Sequence, residues 1–233
     1  MRKPSGQNLT YGIVEELGHA VVTQTYGDAM PFPIEAELCK QFGASRTVLR
    51  EAVKMLTAKG LLTARPRKGT TVQPSSSWNL FDTDVLRWLL ERKFSLLLLR
   101  QFSELRIAIE PEASALAARE ADDGARAAIR AGFERMAAAE AAGEDTLEAD
   151  IGFHIAVLNA SANPFYMQFR DVVATALRTS IRFTNRFQGR TASLPAHYAV
   201  LAAIEARDSG AARAAMAAII ADVMAMIEDS ESA

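Results

Sequence analysis

Between Glu35 and Gln73 the chain reads as two short helices followed by a hairpin, and few folds accept that order in about forty residues. A helix is predicted over Glu35 to Phe42, closed by Gly43, because glycine enters the left-handed conformation that ends helices without strain. A second starts after Ala44 or Ser45, buries Leu49, Val53 and Leu56, and stops at Gly60. In LLTARPRKGTTVQ, residues 61 to 73, Leu62 and Ala64, then Thr71 and Gln73, flank a Pro-Arg-Lys-Gly turn, the pattern of a two-stranded hairpin. Upstream, Leu9, Ile13, Val14, Leu17, Ala20 and Val21 recur at helical spacing, so an amphipathic helix is expected from Leu9 to about Thr25. Gly27 and the Met-Pro-Phe-Pro run at 30 to 33 prevent its continuation. Helix, helix-turn-helix and hairpin together make a winged helix.

The remainder is alanine-rich and carries no strand signal. Asp82 or Thr83 can cap a helix through Leu90, and a long helix is expected from Ser95 to Ala121 with a bend at Pro111. Further helices are expected over Gly124 to Ala142, Thr146 to Ala160, Pro164 to Phe187, Leu194 to Arg207 and Gly210 to Ile227. The expected fold is mostly α: an N-terminal winged helix-turn-helix with a small β-hairpin wing, then an all-α antiparallel helical bundle. The expected divisions are 1–74 for the winged helix, 75–94 for a linker and connecting helix beginning at the polar PSSS, and 95–233 for the bundle. Trp78 and Trp88 are expected to pack the domains together.

Charge divides along the same boundary. Residues 1 to 75 hold ten basic and six acidic residues, although the whole chain is net −2. Eight of those basic residues fall within 40 to 68, against Glu51 alone. A basic small domain joined to an acidic larger one fits a nucleic-acid binder, the alternative being a merely solvated basic face. One cysteine, Cys39, cannot form an internal disulfide; no run of about 18 uncharged apolar residues is present; and no apolar stretch follows the two basic residues of MRKPSGQNLT. A reduced, cytoplasmic protein with no membrane partner is the expectation.

The helix that begins at Ser45 offers Arg46, Thr47 and Arg50 away from its apolar stripe. At the start of a recognition helix an arginine can donate twice to guanine, while Ser45 and Thr47 can reach phosphates. On the hairpin, Arg65, Arg67 and Lys68 precede Gly69, where a glycine lets the wing tip approach a nucleic-acid backbone. In the bundle, Asp150 and His154 stand four apart and so share a helix face, and His197 is the other histidine outside the basic domain. A carboxylate with two imidazoles suits a divalent metal, zinc first, with nickel or manganese as alternatives. An Asp-His ion pair is the simpler reading of the same spacing.

GASRTVLREAVKMLTAKGLLTARPRKGTTVQ resembles the GntR superfamily of bacterial transcription regulators, which implies base-reading roles for Arg46 and Arg50 and a wing-tip role for Gly69. The preceding helix departs from the family's proline-serine-glutamate-arginine, reading Pro33, Ile34, Glu35, Ala36, so a third DNA-contacting arginine is missing. EADIGFHIAVLNASANP and LRIAIEPEASALAARE resemble the FCD effector-binding domain of the FadR branch. That resemblance implies Asp150, His154 and His197 as metal ligands, and a fourth histidine where this chain has Ile219. It also implies that Arg106 faces the effector cavity, where it would meet a carboxylate, unless it is consumed by a salt bridge with Glu110. Asn163, Asn185 and Phe187 are further candidate effector contacts. WNLFDTDVLRWLLE is similar to the sugar-acid branch, so galactonate-type effectors are expected.

A ligand-controlled repressor, acting as a homodimer on double-stranded operator DNA, uses both halves of the chain. The rival is a metal-dependent enzyme acting on a small carboxylic acid, since an open metal position could activate water. No residue beyond the candidate ligands has a sequence context marking a general base, and such an enzyme would leave the basic hairpin idle. An FCD regulator of a different organic acid is the other alternative.

Overall fold

Residues 6–27, 30–65, 69–92, 96–178 and 193–232 are described by the computed structural model, which divides into units of 1–94 and 95–233. In the first unit, helix α1 (Gly6–Val22) ends earlier than its apolar period suggests. The Thr23 hydroxyl donates to the His19 carbonyl at 2.8 Å and Gln24 turns left-handed, closing the helix before Gly27 is reached. Helix α2 (Glu35–Phe42) closes at Gly43 in the left-handed conformation, and α3 (Arg46–Ala58) follows. Strands β1 (Leu62–Arg65) and β2 (Gly69–Val72) pair antiparallel, Leu62 opposite Val72 and Arg65 opposite Gly69. Ile13, Leu17, Leu38, Leu49, Leu56 and Leu62 form the centre of this unit's core.

The segment expected to be linker and connecting helix packs into the same unit. Ser75–Ser77 forms a single 3-10 turn, Asn79 donates its amide to the Lys59 carbonyl, and α4 (Thr83–Arg92) lies on α1. Trp88 is fully buried there, its indole donating to Glu15 at 2.8 Å. Gly18 makes this approach possible: a Cβ at that position would stand 2.3 Å from the Trp88 ring. Trp78 donates to the Gln73 carbonyl and is also buried in this core. Both indoles therefore have their packing partners within the first unit.

The second unit contains α5 (Leu96–Glu120), α6 (Asp123–Ala142), α7 (Leu147–Ala160), α8 (Pro164–Met167), α9 (helical over 170–178), α10 (Leu194–Glu205) and α11 (Ser209–Ser232). Helix α5 continues through the buried Pro111. Asp122 caps α6 by accepting from the Ala125 amide, and Gly143 ends it. Gly132 then lets α6 approach α7, since a Cβ there would lie 3.1 Å from Phe153 Cα. Helices α5, α6, α7, α10 and α11 enclose the core, with α11 packed on α5 and α10. By length and composition α11 could also cross a bilayer, with mean hydropathy 1.6 over Ser209–Ser230, despite the charges of Arg213, Asp222, Glu228 and Asp229.

One expected helix needs correction. The stretch from Pro164 is interrupted at Gln168 and Phe169, where the amides of both bond three residues back, to Phe165 and Tyr166. The Arg170 guanidinium occupies the Met167 carbonyl at 3.0 Å, and the Val173 amide starts a new helical register from Phe169. The end predicted at Phe187 lies outside the described residues.

Candidate functional site

Helix α3 reaches solvent at its N-terminus because Ser45 caps it and its apolar stripe turns inward. Ser45 Oγ accepts from the Val48 amide at 3.3 Å, and Ser45, Arg46, Thr47 and Arg50 are all exposed. Losing this cap, as in Ser45→Ala, is expected to cost about 1 kcal/mol, and Ser45→Gly only a few tenths, in urea unfolding of the full chain. Arg50 donates to Glu35 through Nε at 2.9 Å and Nη2 at 3.3 Å, while Arg46 Nε stands 3.6 Å from the same carboxylate. Hydrogen bonding to Arg50 lowers the Glu35 pKa below the usual carboxylate value. One acidic residue on α2 thus orients both candidate base-reading arginines on α3. The sequence marked Glu35 only as the start of a helix and as part of a variant motif; its contact with Arg50, 15 residues away, had no local signal.

A groove of about 390 Å³ runs between α3 and the hairpin, bordered by Arg50, Lys54, Arg65 and Gly69. Gly69 has φ +80, a conformation that side chains rarely adopt, and a Cβ there would meet nothing within 4 Å. Backbone conformation, not space, therefore asks for glycine. Arg65 is exposed at the end of β1. Arg67 and Lys68 lie outside the described residues.

In the second unit Asp150 and His154 of α7 meet His197 of α10, all three buried, with one ligand atom from each lying within 4.8 Å of the others. His154 Nε2 is 3.3 Å and His197 Nε2 is 3.2 Å from Asp150 Oδ1. Neither contact has hydrogen-bond geometry at Asp150 Oδ1, which, like His197 Nε2, is buried without a hydrogen-bond partner. Two ligands about 2.0–2.1 Å from a tetrahedral zinc ion stand about 3.3 Å apart. The donor set and its spacing therefore fit a divalent cation.

The imidazoles are held from behind. His197 Nδ1 lies 2.9 Å from the Ser193 carbonyl, so the residue that caps α10 also directs Nε2 inward. His154 Nδ1 lies 2.6 Å from Glu110 Oε2, and Arg106 donates to Glu110 through Nε at 2.5 Å and Nη2 at 3.2 Å. Of the two readings of Arg106, the Glu110 pair is present, formed within α5 one turn apart. Burial raises the Glu110 pKa, but the charges of Arg106 and His154 outweigh it and hold the carboxyl at about 2. Burial likewise opposes ionisation of Asp150, and the two imidazoles outweigh it, holding the carboxyl well below its ordinary range. For His154, burial disfavours the cation, yet Glu110 and Asp150 push its pKa up to about 9. A metal at Nε2 must displace that proton, so its affinity falls on acidification.

Asn163 is placed differently. Its Oδ1 accepts from the Phe165 amide at 2.9 Å, capping α8. Asn185 and Phe187 lie outside the described residues. Ile219 is buried on α11 in the core that contains Phe153, Val157 and Val200. Glu110 entered the sequence reading only as a competitor for Arg106; its place behind His154, 44 residues away, had no local signal.

The gntR family of bacterial regulatory proteins matches residues 9–72, and the FCD domain matches residues 101–222. The chain belongs to the GntR family. Its members are transcription regulators, and the pairing with an FCD domain makes this chain a ligand-responsive, DNA-binding regulator rather than an enzyme. The GntR chain is 35% identical to the galactonate operon transcriptional repressor of Escherichia coli K12, covering 92% of this chain and 94% of the relative. It is also 35% identical to an uncharacterized HTH-type transcriptional regulator of the same organism, covering 92% and 93%. Among solved structures, E. coli McbR/YncC superposes with a TM-score of 0.54 over 96% of this chain and 98% of that one. Its 19% identity makes this a likeness of fold.

Proposed function

We propose that this GntR regulator is a cytoplasmic homodimeric repressor of a sugar-acid catabolic operon, released from its operator by a galactonate-type effector. The supporting observation is the 35% identity to the galactonate operon repressor over 92% of this chain, a span that takes in residues of both units. Arg46 and Arg50 read bases, Ser45, Thr47, Arg65, Arg67 and Lys68 position the DNA backbone, and Gly69 shapes the wing. A pseudo-palindromic operator follows from a dimer, since one recognition helix offers few base contacts and two-fold symmetry doubles them.

Asp150, His154 and His197 would hold a zinc ion, with nickel or manganese as alternatives, and the ion would supply a Lewis-acidic seat for an effector carboxylate or hydroxyl. A guanidinium has five N–H donors, and Glu110 receives two from Arg106, so the other edge suits the effector carboxylate. Asn163, Asn185 and Phe187 complete the proposed effector contacts. The test is a binding assay on duplexes from the protein's own promoter region with a panel of aldonates and hexuronates. Release by galactonate, and by few other members of the panel, is expected; release by none of the sugar acids would remove this effector class.

A further inference from the structure

Glu110 carries a negative charge into the interior of the second unit without itself belonging to the proposed ligand set. It is 1% exposed, and its partners Arg106 and His154 are each 2% exposed. An isolated carboxylate so deeply buried would be costly, and the bidentate guanidinium supplies the countercharge. The remaining contact is specific. Glu110 Oε2 lies 2.6 Å from His154 Nδ1, so in the neutral imidazole that a metal requires it accepts from Nδ1–H and leaves the lone pair on Nε2, 3.3 Å from Asp150 Oδ1. His197 receives the same orientation from a neutral acceptor, the Ser193 carbonyl. The two imidazoles thus differ in what stands behind them: a backbone dipole for one, a carboxylate for the other.

We infer that Glu110 is a positioning residue for the metal centre, fixing the tautomer and ring orientation of His154 and strengthening it as a donor, and that Arg106 keeps this carboxylate in place. The inference rests on the metal reading of Asp150, His154 and His197. A carboxylate behind a ligating imidazole raises the imidazole's basicity, and losing such a partner weakens metal binding by about 10–100-fold. Arg106 consequently influences the metal through Glu110, in addition to any contact with the effector.

The test uses full-length protein freed of metal by a chelator and titrated with cobalt(II), whose visible absorption reports the ligand field. Glu110→Gln keeps an oxygen to accept from His154 but loses the charge; cobalt affinity should fall by about tenfold. Glu110→Leu combined with Arg106→Met removes both poles without leaving a lone buried charge, and should weaken cobalt by about 100-fold while the metal-free fold, followed by circular dichroism, is retained. Wild-type affinity in the folded double variant would overturn the inference. Should that variant not fold, an affinity within twofold of wild type in Glu110→Gln does the same. Failure of the wild type itself to bind cobalt would overturn the metal reading and this inference with it, whereas wild-type binding with indifferent variants overturns this inference alone.

Discussion

Arg50→Ala is expected to erase discrimination at one base step in each operator half-site while leaving non-specific affinity nearly unchanged. Arg50 is exposed on α3, and Glu35 engages its Nε and one Nη2 hydrogen. That arrangement leaves the opposite edge of the guanidinium for the two acceptors of guanine. A bidentate contact of this kind discriminates by about 1–3 kcal/mol. Two half-sites of the proposed dimer double this to about 2–6 kcal/mol, roughly thirtyfold to beyond ten-thousandfold in operator affinity. Arg46→Ala should act at a neighbouring step. Lys68→Ala should instead weaken operator and scrambled duplex alike and lower the salt slope by about one per protomer, because a phosphate contact carries no sequence information. Fluorescence anisotropy with operator, single-base variants and scrambled duplex across a salt series separates these outcomes. Equal preference for operator over scrambled DNA in Arg50→Ala and wild type would remove Arg50 from base reading.

The architecture was legible wherever a single residue dictates the backbone. Gly43 and Gly143 end helices in the left-handed conformation, and Asp122, Ser45 and Ser193 cap the helices that follow them. Boundaries set by less usual means were not legible. The break after Met167 depends on a carbonyl taken by the Arg170 side chain, and the early end of α1 on the Thr23 hydroxyl and a left-handed Gln24. The candidate metal residues followed the same rule. Asp150 and His154 share one helix face by spacing alone, and His197 was pointed out by the scarcity of histidine. Glu110 and Glu35 act across 44 and 15 residues of sequence, through contacts that only the packed helices create. Local pattern thus found the groups that would touch DNA or metal, and missed the carboxylates that aim them.

Removing the metal is expected to weaken galactonate binding by about 5–150-fold, the usual range of coupling between two sites. The reason lies in the ligand count. Asp150, His154 and His197 are the described cluster, and the position where the family resemblance implies a fourth histidine is Ile219, buried among apolar neighbours on α11. Three protein ligands leave a zinc-like ion at least one exchangeable position, as in catalytic sites and unlike closed structural ones. An effector carboxylate or 2-hydroxyl that fills this position binds better to the loaded protein, and by reciprocity the metal binds better in the presence of effector. Ile219→His should therefore raise metal affinity without effector and reduce the coupling, since the imidazole contests the open position. The same variant stripped of metal should melt below wild type, because it replaces a buried apolar side chain with an imidazole that must be desolvated. Calorimetric titration of galactonate into chelator-treated and metal-loaded protein measures the coupling directly. Equal affinities would mean that the metal takes no part in recognition, leaving Arg106 and neutral hydrogen bonds to distinguish one sugar acid from another.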